Sequence, residues 1–270
     1  MKKTNCQKIA SILIVITLGL LFMVSMAACE REAWDCPECG NKGNTDNYCG
    51  VCGHPAPEEK ESVMTHADYV AAELDSAVTV ETYVQATQSW WDNKITVYAQ
   101  SPDGAYFIYN MTCSEEDAAK LVPGTKIRVS GFKGEWSGEV EITDATFELL
   151  EGDPFIAETE DVTAKLGTGD LINCQNELVL FKGMTVEPYD DTGAAFAYKN
   201  AVDKTDDLYF KVSKDGQVYD FCVEFYLCGQ ETEVYKAVEN LQAGDVIDIE
   251  AFLYWYNGMN PHTIRIHTVH

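Results

Sequence analysis

The chain is short of positive charge. Its 270 residues hold 19 Lys and Arg against 44 Asp and Glu, a formal charge of -25. Nucleic-acid binding normally rests on Lys and Arg that displace counterions from phosphates, so this balance predicts no nucleic-acid partner. Solubility alone also accounts for an acidic surface. Histidine is scarce as well: His54, His66, His262, His267 and His270 are scattered, and no G-x-S-x-G, H-E-x-x-H or phosphate-cradling Gly-rich loop occurs. These absences remove the best-marked nucleophilic, metalloprotease and nucleotide chemistries. Asp190-Asp191 and Asp206-Asp207 lack the ligand spacing of a dedicated calcium loop.

What is present begins at the N-terminus. Lys2, Lys3 and Lys8 precede Ile9 to Val24, a run of apolar, Gly, Ser and Thr residues, which is the layout of an export signal. The run closes with V-S-M-A-A-C, and Ala27-Ala28-Cys29 resembles the lipobox of bacterial lipoproteins, with Met26 in place of the usual Leu. The resemblance implies cleavage of residues 1–28 and a diacylglycerol on Cys29. An uncleaved anchor is the alternative, since about 20 apolar residues span a bilayer. Lysines before the run and Glu30-Arg31-Glu32 after it orient the remainder outward in either case. The expected location is the extracytoplasmic face of a bacterial membrane. Without residues 1–28 the chain carries 16 basic and 44 acidic residues, a charge of -28.

Past the lipidated segment 29–35 lies CPECGNKGNTDNYCGVCG, residues 36–53. Cys36-x-x-Cys39 and Cys49-x-x-Cys52 are separated by nine residues, and Gly40 and Gly53 follow the two pairs. Zinc takes four tetrahedral thiolates, and a C-x-x-C-G turn lets two of them converge. The segment resembles a short zinc ribbon, which implies a structural zinc on Cys36, Cys39, Cys49 and Cys52. An oxidising compartment favours disulfides among the same thiols.

Residues 54–75 read as a linker ending in a short helix near Ala67 to Leu74, with Thr65 as its cap. From residue 76 the pattern turns to period two. Val78, Val80, Thr82 and Val84 share one strand face, KITVYAQ and AYFIYNM flank the turn Ser101 to Gly104, and Ser114 caps a helix that Pro123-Gly124 stops. GTKIRVSGF and EVEITDATFEL supply two more strands. Three strands, a helix and two strands over 76–150 resemble the OB-fold, a five-stranded Greek-key barrel; an SH3-like barrel or small sandwich has a similar signature.

After the acidic linker 151–161 the pattern recurs. Cys113, Leu121, Gly124 and Phe132 align with Cys228, Leu241, Gly244 and Phe252, with five extra residues before the second glycine. Residues 162–270 are thus a second OB-like barrel, with strands at 177–187, 207–213 and 219–227 and a long polar loop at 188–206. Cys222 and Cys228, on one extended strand, cannot pair with each other. The expected fold is mainly β: a ribbon and two tandem five-stranded barrels, each with one helix.

The aromatics offer the clearest binding surface, because OB-folds stack rings on exposed aromatic side chains. Trp90, Trp91, Trp136 and Trp255 are the candidate ligand-binding residues, although strands are rich in aromatics for packing reasons alone. No residue is assigned a catalytic role. The expected function is a non-catalytic binding or scaffold module for a sugar, peptide or protein, the alternative being an envelope enzyme or accessory subunit with an acidic site near 188–206.

Overall fold

Alternating burial organises the chain from residue 77 onward. In the computed structural model, which describes residues 33–56, 62–200 and 205–269, the chain divides into one unit up to Lys60 and another from Glu61. The expected signal and Cys29 anchor lie outside the described residues. Among the described residues no helix is long and apolar enough to cross a membrane.

The first barrel is built from β1 (Ala77–Thr87), β2 (Lys94–Ser101), β3 (Gly104–Thr112), β4 (Lys126–Trp136) and β5 (Glu139–Leu149), closed in the order β1-β2-β3-β5-β4. Only the β3–β5 pair is parallel, and it closes the ring of otherwise antiparallel strands. Val80, Val84, Val97, Ile108, Ile127, Val129 and Ile142 fill the interior with no solvent exposure. Each such side chain stabilises the fold by about 1.5–3 kcal/mol. Thr82 sits among them, as the period-two reading places it.

Closing so few strands needs sharp bends, and the register shifts between Val84 and Ala86 and between Ser130 and Phe132 provide them. Gly131 lies inside the second shift, where an added Cβ would stand 2.6 Å from the Thr143 carbonyl oxygen. That neighbour is backbone and cannot rotate away. Gly131→Ala is therefore expected to destabilise the barrel by about 1–3 kcal/mol, read as a lower urea midpoint; an unchanged midpoint would refute the account.

The helices are shorter than the sequence suggests. α1 (His66–Ala71) is capped by Thr65, whose Oγ1 accepts from Asp68 N at 3.1 Å, but only Tyr69 is buried while Val70 and Leu74 face solvent. α2 (Glu115–Ala118) is a single turn capped by Ser114. Lys133 draws α1 onto the barrel: its ammonium donates to the carbonyls of Tyr69, Val70 and Ala72 at 2.8–3.1 Å, satisfying the helix's open C-terminal end.

After β6 (Glu160–Asp161) the second barrel uses β7 (Leu178–Glu187), β9 (Leu208–Lys214), β10 (Gln217–Val223), β11 (Val246–Phe252) and β12 (His262–Thr268), and the β7–β9 pairing closes it. β8 (Phe196–Tyr198) pairs with the outer edge of β9 inside the segment expected to be loop. The topology repeats the first barrel strand for strand. Equivalent backbone bonds confirm the aligned glycines: Gly124 N donates to Val84 O and Gly244 N to Val186 O, both at 2.8 Å. α3 (Glu233–Glu239), capped by Thr232, absorbs the extra residues.

One strand ends early. β10 stops at Val223, because Cys228 N donates to Glu224 O and Leu227 N to the Glu224 carboxylate, folding 224–228 into a turn. Cys222 and Cys228 consequently occupy different elements, and all eight described cysteines are free thiols.

Candidate functional site: a four-cysteine cluster and an aromatic cleft

The unit that precedes residue 61 is organised by two matching turns. Gly40 N donates to Cys36 O and Gly53 N to Cys49 O, each at 2.9 Å, and both glycines take a φ of 72°. That left-handed conformation is one only glycine adopts freely, which is why each C-x-x-C ends in one. The turns bring Cys36 Sγ to 3.6 Å from Cys52 Sγ and Cys39 Sγ to 3.5 Å from Cys49 Sγ. All four sulfurs lie within 4.8 Å of one another, so the cluster could hold a metal ion. The backbone N–H of Cys52 holds the Cys49 thiol down at about 6, opposed by burial. The His54 backbone N–H lowers Cys52 too, yet burial and the neighbouring sulfurs prevail and push it up to about 12. Four thiolates repel one another, and a bound cation removes the conflict.

Within the second unit the two barrels meet through side chains on their outer faces. Tyr98 of β2 stacks on Phe252 of β11 with ring centroids 4.6 Å apart, and Tyr98 Oη lies 2.6 Å from His262 Nδ1. Tyr98, Phe107, Ala157, Leu178 and Phe252 form a small core of their own. Polar contacts flank it: Glu139 Oε2 accepts from Trp255 N at 2.8 Å and from Gln175 Nε2 at 3.2 Å, and Asn176 Nδ2 donates to Val140 O.

Beside this junction opens a cleft of about 730 Å³. Trp90, Trp91, Tyr109 and Trp136 come to it from the first barrel, and Tyr226, Tyr254 and Tyr256 from the second. Trp90 is held by a bond from Nε1 to Cys113 O, whereas Trp91 and Trp136 are 75% and 61% exposed. Exposed indoles at the rim of a concave surface are available for stacking. Within the cleft, a largely exposed Lys199 pairs with a buried Asp207 at 2.9 Å, and Asp207 also accepts from Phe225 N. Burial raises the Glu224 carboxyl to about 7 and lowers His262 to about 3, so the histidine is neutral.

Cys222 also lines the cleft, but burial pushes its thiol well above the usual range. A cysteine held protonated is a poor nucleophile.

Comparison with known proteins adds one finding. The barrels resemble HIN domains. A solved p204 HINb domain is 10% identical over 73% of this chain and 100% of its own, at a TM-score of 0.34. A murine DNA-binding protein bound with double-stranded DNA is 12% identical over 71% and 96%, at 0.33. A replication protein A heterotrimer bound to single-stranded DNA is 11% identical over 71% of this chain and 48% of its own, at 0.28. No family model and no curated protein matches the sequence. At these identities the likeness is one of fold. The expectation of no nucleic-acid partner does not stand beside them: two of these three structures hold DNA, which is a property of those proteins and assigns no partner to this chain. Physically, a charge summed over a whole chain does not set the potential of a single groove.

Of the four sequence-predicted tryptophans, Trp90, Trp91 and Trp136 converge on the cleft. Trp255 does not line it; its ring covers Gly138, whose added Cβ would meet Trp255 Cδ1 at 2.9 Å. Of the acids expected near 188–206, Asp190 is engaged by Thr192 within its own turn and Asp206 by Asn200, while the neighbouring Asp207 faces the cleft. Glu224 and Tyr226 escaped the sequence reading because they were placed on a continuing strand.

Proposed function

We propose that the chain is an exported, lipid-anchored binding protein, held to the membrane through Cys29 and carrying its ligand, a sugar or peptide, in the cleft between the two barrels. The observation that carries this reading is the convergence of Trp90, Trp91 and Trp136, from two separate stretches of the first barrel, on one concave surface shared with the second. Flat apolar faces with a few polar groups below them suit ring-bearing ligands. The four cysteines are proposed to hold a structural zinc. Tetrahedral Zn–S bonds of about 2.3 Å set sulfurs about 3.8 Å apart, near the 3.5 and 3.6 Å spacings of two of the pairs here. Bound there, zinc supplies a cross-link between the two turns.

Intrinsic tryptophan fluorescence tests the cleft. Neutral oligosaccharides, short peptides and single-stranded oligonucleotides, titrated into the full chain at fixed salt, are expected to include a sugar or peptide that shifts the emission. Trp136→Ala is expected to weaken that response about tenfold, within the 1–3 kcal/mol that aromatic stacking contributes. Preference for the oligonucleotide, or silence from all three classes, would overturn the assignment.

A further inference from the structure

The cleft is unequal in charge. Its charged lining consists of Lys199, Asp207 and Glu224. Lys199 and Asp207 neutralise each other at 2.9 Å. The Glu224 carboxylate accepts from Leu227 N at 2.7 Å, and no ion pair joins it to a cation among the described residues. One half-buried carboxylate with no ion-pair partner of its own therefore lines the cleft beside the indole and phenol side chains, Lys199 acting on it only at a distance. The negative face of an aromatic ring attracts a cation, and more so where water is excluded.

Resting on the reading of this cleft as a binding site, we propose that its ligand carries an organic cation, an alkylated or quaternary ammonium head that sits against Trp90, Trp91, Trp136, Tyr109, Tyr226 and Tyr256 with Glu224 as counter-charge. Three observations point the same way. The tryptophans supply the most cation-attracting faces of any side chain. The native cation of the cleft is already committed to Asp207, so the ligand does not have to displace it. Burial holds the Glu224 carboxyl up at about 7 despite the Leu227 and Tyr226 backbone N–H groups that lower it. Its charge is costly in the empty cleft, and a ligand cation would relieve that cost.

Choline and its uncharged isostere 3,3-dimethylbutan-1-ol have the same shape, so the difference between them reads charge alone. Calorimetric titration of the full chain is expected to give choline at least about tenfold higher affinity than the alcohol, a difference within reach of desolvated cation–π and ionic contacts. Glu224→Gln, which keeps an acceptor for Leu227 N, is expected to abolish that preference. Lys199→Met, which frees the Asp207 charge, is expected to strengthen it. Equal affinities, or a preference unchanged in Glu224→Gln and Lys199→Met, would overturn the cation assignment. If neither compound binds while a neutral sugar still shifts the tryptophan emission, the cation assignment fails and the binding cleft stands. Silence from every probe removes both.

Discussion

Cys49→Ser is expected to lower the zinc content of the purified protein from one per chain to less than about a tenth at micromolar metal. Structural zinc in small thiolate sites is held by about 10–16 kcal/mol, and removing one of four ligands opens the coordination shell. Cys49 is the informative choice because it is buried in the cluster, its Sγ 3.5 Å from Cys39 Sγ, and the Cys52 backbone N–H holds its thiol down at about 6. Elemental analysis gives the stoichiometry. Cobalt substitution gives the ligand set, since four thiolates around Co²⁺ absorb in a way that three do not. Protons compete with metal for the thiolates, so affinity must fall as the solution is acidified. Protein purified without reductant or chelator that contains no zinc and has these four thiols oxidised would sink the proposal in favour of disulfides.

Thermal stability is expected to fall as pH rises from about 5 to 9, contrary to the usual acid sensitivity of carboxylate-rich proteins. The cause is Glu139, fully buried between the barrels, where burial raises its carboxyl from the ordinary 4.5 to about 8 even though Trp255 N donates to it. Between those two values the folded chain binds a proton that the unfolded chain has already lost. Its stabilising share is complete below about 4.5 and is gone above about 8. At about 1.4 kcal/mol for each unit of pKa the loss is on the order of 3–5 kcal/mol. Glu141 and Glu224, each raised to about 7 chiefly by burial, act in the same direction, and His262, lowered by burial to about 3, opposes them only up to its ordinary 6.5. Glu139→Gln, neutral at every pH, should flatten the difference in melting temperature between pH 5.5 and 8.5. A variant whose melting temperature depends on pH as steeply as the parent's would show that Glu139 is not the source.

The sequence carried the barrels and the four-cysteine cluster further than it carried the cleft. Strand alternation is local, and Gly124 and Gly244 mark the same backbone turn in both repeats, so the duplication could be read without coordinates. β8 could not: three half-buried residues pairing on one edge of β9 leave little pattern. Glu139 and Glu141 look like ordinary solvent-facing positions of an alternating strand, yet both are buried, Glu139 against Gln175 and Trp255 of the second barrel. The cleft arises the same way, from Trp91 and Tyr256 meeting across a distance in sequence that no periodicity reports.

Aligned residues of the two repeats have unlike fates. Phe252 is 2% exposed because Tyr98 of the other barrel stacks on it, while its counterpart Phe132 is 47% exposed. The barrels therefore join head to tail, different patches of one fold meeting, and not through a shared two-fold face. Duplication here made an asymmetric pair, and asymmetry let one copy's surface become the wall of a cleft while the same surface on the other stayed at the outside.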